Sequence, residues 1–189
     1  MTKRLLCLLM ALLLIPAMAC GAETAPENAE PLTSPLFQDS AIPAFTVTSE
    51  NLTDGVWDLS IGKHSGENLS PQLSWEPVTG AACYVIYMVD TKALDFVHWM
   101  SNHVTETTLP QGRAGVGEYV GPYPPAFETH PYDVYVLALR EPVEDLKSAF
   151  GVANVFFTKN LFYLDAPAEG VTGNLLGYGY LTGTYDGRE

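Results

Sequence analysis

The run Ala81-Ala-Cys-Tyr-Val-Ile-Tyr-Met-Val-Asp90 constrains the fold more than any other segment. From Ala82 to Val89 it carries no charge and is rich in β-branched and aromatic residues. Such a stretch reads as a strand buried on both faces, because nothing in it is suited to water. Val97–Val104 and Tyr132–Leu139 are similar, and Ala44–Ser49 alternates with β-forming residues. Gly and Pro clusters at 62–66, 110–117 and 121–125 separate these runs. Several short strands with turn signals between them predict a mainly β domain, an antiparallel β-sandwich.

The pattern changes after residue 140. Glu141-Pro142 followed by Val143-Glu-Asp-Leu-Lys-Ser-Ala-Phe150 has a helix-start signature, with proline in the first turn and acids at the positive end of the dipole. Val152–Tyr163 fits helix or strand, so one or two short helices are expected. Tyr178–Tyr185 reads as a last strand or hairpin arm.

The N-terminus predicts export. Lys3 and Arg4 precede an apolar run, Leu5–Ala17, which is shorter than the about 20 residues a spanning helix needs. Ala17-Met-Ala-Cys20-Gly21 resembles a bacterial lipoprotein box, with Cys20 as the lipidated residue. The alternative is an ordinary signal peptide cleaved after Ala-Met-Ala. Residues 1–20 are thus assigned to the leader. Residues 21–43 carry Pro26, Pro31, Pro35 and Pro43 among acidic and small residues, and read as a flexible tether. Residues 44–189 are the right size for one domain. These assignments place the protein in the cell envelope, on the extracytoplasmic face of a membrane.

The formal net charge is −13. Removing Lys3 and Arg4 with the leader leaves 7 basic against 22 acidic residues, net −15. That charge excludes nucleic-acid binding through a basic face and disfavours adhesion to anionic lipid. A covalent anchor at Cys20 would supply the membrane attachment that charge opposes; the acidity also serves simple solubility. Of three cysteines, Cys7 leaves with the leader and Cys20 sits at its end, so Cys83 is left as a lone residue in an apolar run. No disulfide framework is available, and packing must hold the core.

Candidate chemistry is sparse and scattered. Asp90 ends the apolar run, where it can cap a turn or accept an imidazole N–H. His98 precedes Trp99; strand alternation would turn one to a cleft and the other to the core, or His98 is a satisfied core histidine. Gly121-Pro-Tyr-Pro-Pro125 is a stiff loop in which Gly121 allows close backbone approach and Pro122 fixes φ. It is a structural turn, a ligand wall, or both. His130 and Tyr132 share a face by strand period, and Pro131 holds His130 extended.

These motifs, in this order, carry a resemblance. Asn68-Leu-Ser-Pro-Gln-Leu-Ser-Trp75, Val89-Asp90, Phe96-Val-His-Trp99, Gly121-Pro-Tyr-Pro-Pro125 and His130-x-Tyr132 resemble the phosphatidylethanolamine-binding protein family, in its bacterial Raf-kinase-inhibitor-like branch. The likeness runs over roughly residues 44–185. It implies a sandwich of that family's type, and a ligand site built from Asp90, His98, Gly121, Pro122, His130 and Tyr132. Two positions depart from the family pattern. Asp90-Thr91-Lys92 stands where Asp-Pro-Asp is common, and Pro131 replaces a usual basic residue.

The expected function is binding of a small anionic group, a phosphate or phospholipid headgroup, with affinity declining between about pH 6 and 8 as histidine loses its proton. The alternative is a protein-interaction module that inhibits an extracytoplasmic protease or other partner, with Tyr123 and Phe127 as candidate contacts. A third and less favoured reading is a hydrolase, in which the Asp/His/His/Tyr set coordinates zinc or acts as acid and base; catalysis is not expected, because no Gly-x-Ser-x-Gly elbow, His-Glu-x-x-His or Cys-x-x-Cys pair occurs. No cofactor and no metal site is expected.

Overall fold

A computed structural model of the protein describes residues 30–188. The strands, in chain order, are β1 (Ala44–Phe45), β2 (Val47–Thr48), β3 (Leu52–Thr53), β4 (Val56–Trp57), β5 (Leu73–Trp75), β6 (Cys83–Asp90), β7 (Phe96–Val104), β8 (Thr108–Leu109), β9 (Thr129–Leu139) and β10 (Leu175–Asp186). Among the described residues one α-helix, α1, spans Phe157–Tyr163. The large sheet has the order β3-β4-β10-β9-β6-β7, with β1 also pairing to β10; a small sheet is ordered β2-β5-β8. Pairing is antiparallel except that β1 and β4 run parallel to β10.

Every residue of β6 is buried, as its composition requires. Its side chains alternate between two cores. Tyr84, Ile86 and Met88 join Val134, Val136 and Trp99 on one face, under the small sheet's Leu73, Trp75 and Leu109. Cys83, Val85, Tyr87 and Val89 join Tyr135 and Leu137 on the other, covered by Phe157 and Leu161 of α1 and by Phe37. This two-faced burial is what lets a continuous apolar strand stay out of contact with water.

Two expectations need correction. Residues 143–150 form no helix; the helix lies later, at α1. Side chains from distant positions take the backbone groups that a helix would need. Asn102 Nδ2 donates to the Val143 carbonyl at 2.7 Å, and the Asn174 amide pairs with both the N–H and the C=O of Glu141. A segment of eight residues has little helical stability of its own to oppose this. The stretch expected as tether is also partly packed. From Ser34 onward it lies on the domain: Phe37 stacks on Tyr178 with centroids 4.0 Å apart, and Ser34 Oγ meets the Tyr135 hydroxyl at 3.2 Å. The leader, Cys20 and the first part of the tether lie outside the described residues.

Candidate functional site

The ends of β6, β7 and β9 meet at one edge of the large sheet. Register sets Asp90 of β6 opposite Tyr132 of β9. There Asp90 performs both of its possible roles. Oδ1 accepts the Lys92 and Ala93 amides at 3.0 Å, capping a 3-10 turn over residues 91–93. Oδ2 accepts from His130 Nδ1 at 2.6 Å. Both partners are buried, so the pair is shielded from water.

His98 arrives differently from expectation. Along β7, Val97 pairs with Val89 and Trp99 with Met88, so His98 is an extra, bulged residue. The bulge breaks alternation. Trp99 stays in the core under the small sheet, and the His98 ring turns to the same face, 5.1 Å from the Tyr132 ring centroid. His98 Nδ1 donates to the Val120 carbonyl at 2.8 Å, which leaves Nε2 as the nitrogen for a ligand. Burial holds the His98 pKa below the usual histidine value, against the upward pull of the Val120 carbonyl and Asp90.

Asp90, His98, His130 and Tyr132 line one cavity of about 240 Å³ with Ala93, Phe96, Tyr123, Pro124 and Pro125. The Phe96, His98 and Tyr123 rings stand within 6 Å of one another as an aromatic wall. Lys63 Nζ sits 4.3 Å from the Tyr123 ring centroid. The Tyr132 hydroxyl is buried and meets no partner in good hydrogen-bond geometry. Burial and the nearby Asp90 carboxylate push its pKa up, moderated by the Tyr123 amide. A larger hollow of about 530 Å³ lies beneath residues 33–44, but its walls carry no carboxylate, imidazole or amine.

Gly121 and Pro122 are not among the cavity walls. The backbone approach that Gly121 permits is to residues 61–63: a Cβ there would stand 2.1 Å from the Ile61 carbonyl oxygen. Its amide donates to Asn68 Oδ1, and the Pro122 carbonyl accepts from the Lys63 amide. Both residues lock the loop that carries Tyr123, Pro124 and Pro125 into the wall.

Phe96 and Glu128 were not foreseen. Glu128 Oε2 lies 3.2 Å from His130 Nε2 and 2.7 Å from Lys92 Nζ. Strand period was an available signal, because Glu128, His130 and Tyr132 are spaced by two. Among the described residues no cluster of three or more His, Cys, Asp or Glu side chains is arranged to hold a metal ion.

A family model described as phosphatidylethanolamine-binding protein matches residues 34–186. Among solved structures, the chain is similar to Escherichia coli YbcL, described as a new member of the mammalian PEBP family. The identity is 20%, covering 75% of this chain and 98% of that one, with TM-score 0.55. It is also similar to a phosphatidylethanolamine-binding protein homologue, CT736, from Chlamydia trachomatis, at 21% identity over 76% of this chain and 97% of that one, TM-score 0.53. At these identities the likeness concerns the fold. A search of curated proteins gives no match.

Proposed function

We propose that this chain, which belongs to the phosphatidylethanolamine-binding protein family, holds a small anionic group, a phosphate or phospholipid headgroup, in the cavity at the end of β6, β7 and β9. The observation that supports the reading is the convergence of Asp90, His98, His130 and Tyr132 on one cavity, with His98 Nε2 left over by the Val120 bond. The buried Tyr132 hydroxyl, poorly bonded to Asp90 and the Tyr123 amide, would gain a partner if a ligand oxygen reached it. The volume of about 240 Å³ suits a headgroup rather than a whole lipid. A protonated His98 Nε2 would add a second donor. The rigid Pro124-Pro125 wall would lose little entropy on binding.

The depressed His98 pKa revises the expected pH window. The ring takes its proton below the ordinary histidine value of about 6.5. Anion affinity should therefore rise as pH falls below that value, lower than the range of an unperturbed imidazole. Calorimetry with phosphoethanolamine at pH 5.5 and 7.5 tests this: tighter binding at pH 5.5 supports the reading, and no binding at either pH refutes it. The role proposed is binding without turnover, from a lipid-anchored position at the extracytoplasmic face. Labelling of Cys20 with a fatty-acid probe tests the anchor.

A second reading, docking of a protein segment such as a protease loop, draws on the exposed side chains beside the cavity. Phe127 is 82% exposed at φ +65° and Leu94 65% exposed at φ +56°, both in left-handed conformations that ordinary residues avoid. A stoichiometric partner recovered from envelope extract, and lost with F127A, would favour it.

A further inference from the structure

One of the chain's own carboxylates lies against His130, a residue of the cavity wall. Glu128 Oε2 sits 2.7 Å from Lys92 Nζ and 3.2 Å from His130 Nε2. These are an ammonium and, when the ring is doubly protonated, an imidazolium N–H, the groups that an incoming oxyanion would seek. We propose that Glu128 is an intrinsic competitor, a side-chain gate that holds Lys92 and His130 until a ligand anion displaces it, and so sets the affinity and charge selectivity of the site.

Three features of the chain support this. His130 is flanked by carboxylates on both nitrogens, Asp90 at Nδ1 and Glu128 at Nε2. Asp90 is fixed, because its other oxygen caps two backbone amides. Glu128 has no such tie: its side chain is half exposed and its remaining oxygen is free to turn. The backbone beneath it is held, with the Glu128 amide donating to Pro125 and the Glu128 carbonyl accepting from Gly187 at 2.7 Å. Opening is thus a change of side-chain rotamer with no movement of the loop.

Lys92 takes on a defined part. Standing where the resembled family commonly has a carboxylate, it puts a positive charge beside the cavity, and Glu128 pairs with that charge. Displacing Glu128 exchanges one carboxylate for the ligand's oxyanion on the same two groups. Net gain must then come from deeper contacts at Tyr132 and His98. A dianion, with more charge to share between Lys92 and His130, displaces the gate better than a monocarboxylate.

The inference rests on the reading of the cavity as an anion site, and the test separates the two. Isothermal titration of wild type, E128A, E128Q and the double variant K92A/E128A would use inorganic phosphate, with phosphoethanolamine as a second arm. Phosphate is the cleaner probe, since an ammonium group could pair with the Glu128 carboxylate. E128A is expected to bind phosphate about tenfold more tightly, the equivalent of about 1.4 kcal/mol. E128Q should shift in the same direction by less, and K92A/E128A should lose most of the gain. Melting temperatures should stay close to wild type, because the half-exposed ion pair contributes little to folding. Wild-type binding with E128A unchanged or weaker overturns the gate and leaves the site standing. No binding of either probe by wild type or by E128A overturns both.

Discussion

Replacing Tyr132 with phenylalanine should move stability and affinity in opposite directions. Phenylalanine keeps the buried ring and its packing against His98 and Tyr185. Only the hydroxyl is lost, and that hydroxyl is buried without a well-formed partner. An unsatisfied buried polar group costs about 1–3 kcal/mol. Taking about 1 kcal/mol, the low end, because the Asp90 carboxylate and the Tyr123 amide lie close by, and about 2–4 °C per kcal/mol for a domain of this size, Y132F should melt a few degrees higher. The bound state has the reverse balance. A hydrogen bond to a charged ligand oxygen contributes about 1.5–3 kcal/mol, so Kd for phosphoethanolamine should rise roughly 10- to 150-fold. Differential scanning calorimetry and isothermal titration on the same preparation read both effects. If the variant melts lower, the hydroxyl is well bonded to Asp90 or to the Tyr123 amide and is no orphan. If it melts higher but binds equally well, the hydroxyl is not a ligand contact.

Other substitutions probe the supports of the site. D90A should destabilise by about 3–5 kcal/mol in urea titrations, because it strips a buried imidazole of its partner; D90N, which keeps an acceptor for the turn amides, should cost about 1–3 kcal/mol. A near-neutral D90A would mean that the pair is not a structural element. G121A should lose about 1–3 kcal/mol through collision with the Ile61 carbonyl, and should weaken ligand binding by shifting the Pro loop; both are read from melting and titration. The His98 pKa is lowered by burial, so the unfolded chain takes its proton first as pH falls. Stability should decline below about pH 6.5, and the His98 share of that slope should vanish in H98F. Asp133 has the opposite sign. Burial raises its pKa, only partly offset by hydrogen bonds that include the Tyr180 hydroxyl at 2.9 Å. Its ionisation therefore costs stability as pH rises above the unfolded value of about 3.9. D133N should be more stable than wild type at pH 7, with no such advantage at pH 3.

What was legible in the sequence was whatever rests on local pattern. An uninterrupted apolar run reads as a doubly buried strand wherever it lies, and β6 is one. The spacing of His130 and Tyr132 by two puts both on the cavity side of β9. What was not legible depends on partners far along the chain. Residues 34–43 have the composition of a tether, but Phe37 finds Tyr178 and Ser34 finds Tyr135. Residues 143–150 have a helix start, but Asn102 and Asn174 take their backbone groups. His98 was placed by alternation on the face opposite Trp99, and a bulge undid that. A bulge is a relation between two strands, so neither sequence alone records it.

That bulge also explains why the site lies at this end of the sheet. Regular alternation would send His98 away from Trp99, and so away from the face that Tyr132 occupies. One inserted residue turns the ring toward Tyr132 without disturbing Val97 or Trp99, which keep their pairings on either side. The outer edge of β7 then meets the 118–120 segment, where the Val120 amide donates to the His98 carbonyl and the Val120 carbonyl accepts from its ring. His98 is thus held by backbone on both counts, as Asp90 is by the turn that it caps. The groups at the floor of the cavity are fixed by secondary structure, whereas Lys92 and Glu128 at the rim are held by each other. On the proposed function a ligand would meet a preorganised floor and an adjustable entrance, and the proposed selectivity for charge would reside at the entrance.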